Sequence, residues 1–283
     1  MNSLLLKKLK FNPKKLITSG LTGGYKSRFR GRGIEFEEVR EYIPGDDIKS
    51  IDWKVTAKSG KPYTKVFKEE RELNVIVMID ISSSIFTGTK VRQLKDAAKE
   101  IAEILSFVAI QNNDQIGLVL FADKVIEFFP PKNNLNNHLK IINKIEELSQ
   151  GVKSKTDVVN LFKFLSNRIK KRSLFFIISD FQFDVDFDDP ILAKTIKRND
   201  LVCFKLVDRL ETNLPNVGLL KIQDPETDEE LVIDTSDRKF IENFYRSYQD
   251  YSSKVRDDFR FRGANFYEIK VDQDLIYQLK RFL

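Results

Sequence analysis

One histidine and one cysteine, His138 and Cys203, are all that 283 residues offer of the two side chains most used in nucleophilic catalysis and soft-metal binding. A single cysteine excludes an internal disulfide framework and any cysteine-based zinc or iron–sulfur site. Any Ser/His/Asp or Cys/His set would have to use His138. That residue stands in the polar run NNLNNHLK, where an exposed position at a helix start is expected. Cys203 lies inside LVCFKLV, a strand interior, where an inert buried thiol is expected. Long apolar runs are also missing, and none approaches the roughly 20 residues of a membrane-spanning helix. The opening MNSLLLKKLKF has three leucines before lysines interrupt, so it does not read as a secretion signal. These absences lead to the expectation of a cytoplasmic protein that is not an enzyme.

Acidic residues are absent from positions 1–34, which carry nine Lys/Arg. Beyond them 39 basic residues face 42 acidic ones, so the net charge of +6 belongs to one terminal segment. Such an arm can meet nucleic acid or an anionic membrane, although only Tyr25 and Phe29 accompany its arginines, and a solvated arm is the plainer expectation. Its second half, with Gly20, Gly23, Gly24, Gly31 and Gly33, should be loop-like. GLTGGYKS is not a phosphate loop, because Tyr25 separates Gly24 from Lys26 and no hydrophobic strand precedes it.

What is present divides into three stretches: the arm at 1–34, a small β unit at 35–72 and an α/β domain at 73–283. In the middle stretch, turn signals at Pro44–Asp47 and Ser59–Pro62 flank Ile51–Ala57, which with Tyr63–Phe67 reads as a hairpin. Trp53 is expected to be a packing anchor, and Arg40 to pair with the Asp46/Asp47 turn. From residue 73 strands and helices alternate. The apolar run NVIVMI reads as a central strand buried on both faces, IGLVLF as a second strand and LFFII as another buried strand. Val125–Phe129 follows a short link and should pair antiparallel with IGLVLF. Helices are expected at 90–110, 135–148, 157–171, 190–198, 237–261 and from 272, further strands at 201–207 and 265–269, and an inserted hairpin at 218–234. This order predicts a mostly parallel sheet with helices on both faces.

Ligands of such sheets bind beyond the carboxyl ends of the strands. Asp80 and Asp180 each follow an apolar strand directly. Asp80-Ile81-Ser82-Ser83-Ser84 spaces three oxygen side chains two residues apart, a set that suits a hard cation such as Mg²⁺ and not a soft metal. The loop GVKSKTD adds Thr156 and Asp157, the latter read first as a helix cap. Asp184, Asp186, Asp188 and Asp189 lack the glycine and terminal glutamate of an EF-hand and read as a solvated acidic loop.

Asp-x-Ser-x-Ser after the first central strand, a threonine in a second loop and an aspartate after a later strand resemble the metal-ion-dependent adhesion site of von Willebrand factor A domains. Position by position, Asp80, Ser82 and Ser84 match its first loop, Thr156 the second and Asp180 the third, with Asp157 as a candidate outer residue. The preceding text, GRGIEFEEVREYIPGDDIKSIDWKVTAKSGKPYTKVFKEERELN, resembles the bacterial family named domain of unknown function fifty-eight, in which such a block precedes an A-type domain. Similarity is dense over about residues 28–85. Ile85 departs from the pattern, which would place methionine there, and a packing role is expected. The resemblance implies a Rossmann-like von Willebrand factor A fold and a bound Mg²⁺ (or Mn²⁺/Ca²⁺). It also implies a protein partner that presents an Asp or Glu to the metal, with a MoxR-type AAA+ ATPase as candidate. Nucleic-acid or anionic-membrane binding through the basic arm is the alternative.

Overall fold

The structure is a computed structural model that describes residues 35–68, 72–88, 92–149, 151–223 and 229–282. The basic arm and the readings made on it lie outside the described residues. Contacts divide the chain at Glu72/Leu73 into two compact units.

In the smaller unit, strand β1 (Glu35–Glu41) pairs antiparallel with β2 (Tyr63–Lys68), with a register irregularity between Phe36 and Glu38. The stretch read as a strand at Ile51–Ala57 is mostly helical: α1 spans Trp53–Ser59. Asp52 caps it by accepting from the backbone N–H of Lys54 and Val55, and Gly60 ends it at φ +73°, a conformation that a side chain would strain. Two end signals thus outweigh the strand-like composition between them. Trp53, expected as a packing anchor, opens this helix with 68% of its surface exposed. Arg40 does pair with the turn, its Nη2 standing 2.7 Å from Asp46 Oδ1.

The larger unit is built on β3 (Asn74–Asp80), β4 (Gln115–Phe121), β5 (Val125–Lys132), β6 (Leu174–Ser179), β7 (Asp200–Val207) and β10 (Asn265–Lys270), in the order β10-β7-β6-β3-β4-β5. Only β4–β5 is antiparallel, joined through Ala122–Lys124. Every residue of β3 and β6 is buried, because both sheet faces are covered. One face carries Ile76, Met78, Phe175, Ile177 and Cys203 against α4 (Val158–Arg168), α5 (Pro190–Arg198) and α7 (Arg238–Phe261). On the other, α2 (Leu94–Gln111) packs along β3, β4, β6 and β7, flanked by α3 (Leu135–Glu147) and α8 (Leu275–Phe282). A short helix α6 (Arg209–Thr212) and a separate hairpin, β8 (Leu219–Gln223) with β9 (Glu230–Asp234), follow β7. Among the described residues no helix is long and apolar enough to cross a membrane.

His138 corrects a second expectation. It is 5% exposed, on the inner side of α3, where local composition had suggested a surface position. Its neighbour Asn137 is also buried and donates to the Ile116 and Lys132 carbonyls at the end of β4 and β5. Docking of α3 on the sheet margin, which the polar run itself cannot reveal, buries both.

Candidate functional site

Asp80 ends β3 and Asp180 follows β6, its parallel neighbour, so the topology brings both carboxylates to the same sheet edge. Asp80 is fully buried. Its Oδ1 accepts from Ser82 N–H at 2.9 Å, and the Thr156 hydroxyl donates to both its oxygens at 3.2 and 3.1 Å. Ser82, which precedes the short turn Ser83–Phe86, and Ser84 within it put their hydroxyls 3.0 Å apart. Ser82 is buried and Ser84 half-buried, which leaves Ser84 on the outer side of the cluster. The Ser179 hydroxyl lies 3.5 Å from Asp180 Oδ1, and Gln182 N–H donates to the same oxygen at 3.2 Å. All five residues singled out as metal ligands therefore meet in one group.

The loops are held together by backbone contacts. Val152 N–H donates to Ile81 O at 2.7 Å, Ser83 Oγ to Val152 O at 3.2 Å, and Ile81 N–H to Phe121 O at 2.8 Å. Gly151 lies so close to the first loop that an added Cβ would stand 2.8 Å from Phe86 Cδ2 and 3.1 Å from Ser82 O. Asp157 caps α4, one oxygen accepting from Asn160 N–H at 2.9 Å and the other from Asn160 Nδ2 at 2.8 Å. Ile85, 1% exposed, packs in the core, as its departure from the family pattern implied. The acidic stretch after β6 is exposed at Asp184, Asp186 and Asp188, while Asp189 caps α5.

One participant escaped sequence reading. Ser179 donates to Asp80 Oδ2 at 2.6 Å and accepts from Phe181 N–H at 3.0 Å. The parallel register aligns Ile79 with Ile178, so the next step sets Asp80 beside Ser179. A hydroxyl directly before the strand-end carboxylate was the available signal. Phe181 itself is held at φ +54°, in the left-handed region, by rings of Phe183, Phe259 and Phe266 and by the Tyr251 hydroxyl on its carbonyl. Such a conformation costs on the order of 1–3 kcal/mol and persists because packing over-determines it; here it fixes the loop that carries Asp180.

Electrostatics decide what this group fits. Burial, and next the neighbouring Asp180, push the Asp80 carboxyl up to about 7, against lowering hydrogen bonds from Ser179 and Ser82. Burial likewise raises Asp180, opposed first by the Ser84 hydroxyl. Two buried carboxylates that repel each other, ringed by hydroxyls, match a small dication with oxygen preference. Among the described residues no group of three or more His, Cys, Asp or Glu is placed to hold a metal.

A family model described as "Protein of unknown function DUF58" matches residues 38–254. The chain belongs to that family. This chain is similar to the uncharacterized protein Rv1480 of Mycobacterium tuberculosis, 25% identical over 98% of this chain and 87% of the relative. Among solved structures, an aerotolerance-related membrane protein from Bacteroides fragilis is matched at TM-score 0.49 and 12% identity, over 74% of this chain and 96% of that one. The von Willebrand factor A domain of SpRpn10 is matched at TM-score 0.41 and 9% identity, over 75% and 96%. The sheet order and two-sided helical cover make this DUF58 fold von Willebrand factor A-like. The cytoplasmic location expected from the sequence is corrected: a matched chain is titled a membrane protein, and the shortage of apolar runs does not place a DUF58 chain in the cytoplasm.

Proposed function

We propose that this chain is a metal-dependent protein-interaction module whose dication, Mg²⁺ (or Mn²⁺/Ca²⁺), is held by Asp80, Ser82, Ser84, Thr156 and Asp180. The observation that carries this reading is the convergence of two buried carboxylates and three hydroxyls from three loops. Bound there, the ion would supply an open coordination position for one more oxygen ligand. Asp80 and Asp180 contribute only two negative charges, and the hydroxyls none, so an incoming Asp or Glu of a partner protein is the fitting third anion. Ser179 orients Asp80 by a hydrogen bond, and Asp157 acts at one remove by fixing the start of α4 behind Thr156.

No catalytic step is assigned. A serine nucleophile needs a base, and the only histidine is buried in α3, with its Nε2 without a hydrogen-bond partner among the described residues. The family resemblance makes a MoxR-type AAA+ ATPase the partner to test first, in a complex-assembly or chaperone-like role. The test is co-purification of the two proteins in Mg²⁺ and in excess chelator, with wild type and Asp80→Ala. Binding that needs the ion and is lost in the variant supports the reading. Binding unchanged in chelator rules it out.

A further inference from the structure

Beside the carboxyl end of β7, a cavity of about 230 Å³ opens between α6, α7 and β10. Its walls include Glu211, Tyr245, Tyr248, Ser252, Arg256 and Glu268. Behind Ser252 stands Lys205, only 1% exposed, an ammonium inside the apolar run of β7. Its Nζ donates to Ser252 Oγ at 2.6 Å and lies 4.6 Å from the centre of the Tyr248 ring.

The walls themselves carry two carboxylates, Glu211 and Glu268, and one guanidinium, Arg256. Lys205 attracts three carboxylates, those of Glu211, Glu268 and Asp180. Arg256, the cation in the walls, places its Nε 3.0 Å from Asp257 Oδ1. Glu211 is half-buried and receives a hydrogen bond from the Tyr248 hydroxyl, a neutral partner. Burial raises the Glu211 carboxyl to about 7; the Tyr248 bond opposes this, Asp180 adds to the rise, and Lys205 opposes it. A carboxylate in this position gains most from a cation brought in from outside.

We propose that this cavity binds a side-chain-sized organic cation, an ammonium or guanidinium, with Glu211 as its counter-ion and the Tyr245 and Tyr248 rings as walls. The size agrees, since drug-sized ligands need roughly 300–1,000 Å³ and this space is smaller. The aromatic walls agree as well, because ring faces attract cations, and Tyr248 already carries the Lys205 ammonium. The guest is either a free small amine or the basic side chain of a partner protein. The site goes beyond the metal reading and does not depend on it.

The experiment titrates methylguanidinium and butylammonium into the full chain, with urea and butanol as neutral counterparts, and follows backbone amide resonances. Chelator is present throughout, so failure of the metal reading leaves the outcome untouched. Saturable, millimolar binding of the cations alone is expected, as suits ligands of so few atoms. The shifts should centre on Glu211, Tyr248 and Ser252. Glu211→Gln should weaken binding about tenfold or more, the loss of one charge-assisted hydrogen bond. Arg256→Gln removes a competing cation from the rim and should tighten binding by about twofold, a readout independent of how Glu211→Gln folds. An N-acetylarginine amide that binds more tightly than methylguanidinium assigns the site to a partner's side chain, and weaker or equal binding assigns it to a free amine. Equal responses to the neutral counterparts, or no saturation by the cations up to about 100 mM, would overturn the proposal.

Discussion

Replacing Asp180 by asparagine should make the metal-free protein more stable, although it removes a carboxylate from the proposed site. The two carboxyls are 0% and 3% exposed, and each disfavours ionisation of the other. Asp80 is driven from its ordinary 3.8 to about 7, which at about 1.4 kcal/mol per pH unit is roughly 4 kcal/mol against its ionised form. Burial is the larger cause and Asp180 the second, so only the smaller part belongs to the repulsion. Asparagine keeps the volume and the acceptor for Gln182 N–H, so no cavity opens. Lys205 loses one of its three carboxylates, which trims the gain to about 1 kcal/mol, or about 2–4 °C in melting temperature for a chain of this size. The assay is thermal and urea unfolding near neutral pH, in chelator and in excess Mg²⁺. Wild type should gain about 2.7 kcal/mol at a hundred times the dissociation constant, and the variant almost nothing. A variant less stable than wild type in chelator, or one that responds to Mg²⁺ like wild type, would refute the reasoning.

Two further predictions concern the frame around the site. Gly151→Ala should cost about 1–3 kcal/mol in urea unfolding and blunt the Mg²⁺ response, because the new Cβ meets backbone of the first loop; unchanged stability would show that the loops are not so closely apposed. His138 is held below its ordinary 6.5 by burial, with the Lys132 carbonyl partly offsetting it. The unfolded chain therefore takes the proton first as pH falls, so this contribution to stability is intact above about 6.5 and is lost progressively below it. Being the single imidazole, it can be followed by NMR, and a midpoint at or above 6.5 would contradict the burial argument.

Much of the larger unit was legible because its strands leave no periodic ambiguity. NVIVMI, IGLVLF and LFFII are continuous apolar runs, and each is buried on both faces. The metal-site residues could be picked out because they sit where such runs end. Other features depend on tertiary placement. Asn137 and His138 look like surface residues until α3 docks against the end of β4. Ser179 acquires its role only through the register that lays β6 beside β3. Lys205, Glu211, Tyr248 and Glu268 come from four elements, β7, α6, α7 and β10, and share no local pattern. In the smaller unit, by contrast, the sequence did hold the answer: Asp52 and Gly60 bracket a helix whose β-branched interior suggested a strand.

Calorimetric titration of Mg²⁺ and Mn²⁺ into the purified, chelator-stripped chain, beside Asp80→Ala, addresses the central claim most directly. The account predicts one saturable site in wild type and none in the variant, with both proteins folded by circular dichroism. Equal binding by the two proteins, or no binding by wild type, would contradict it.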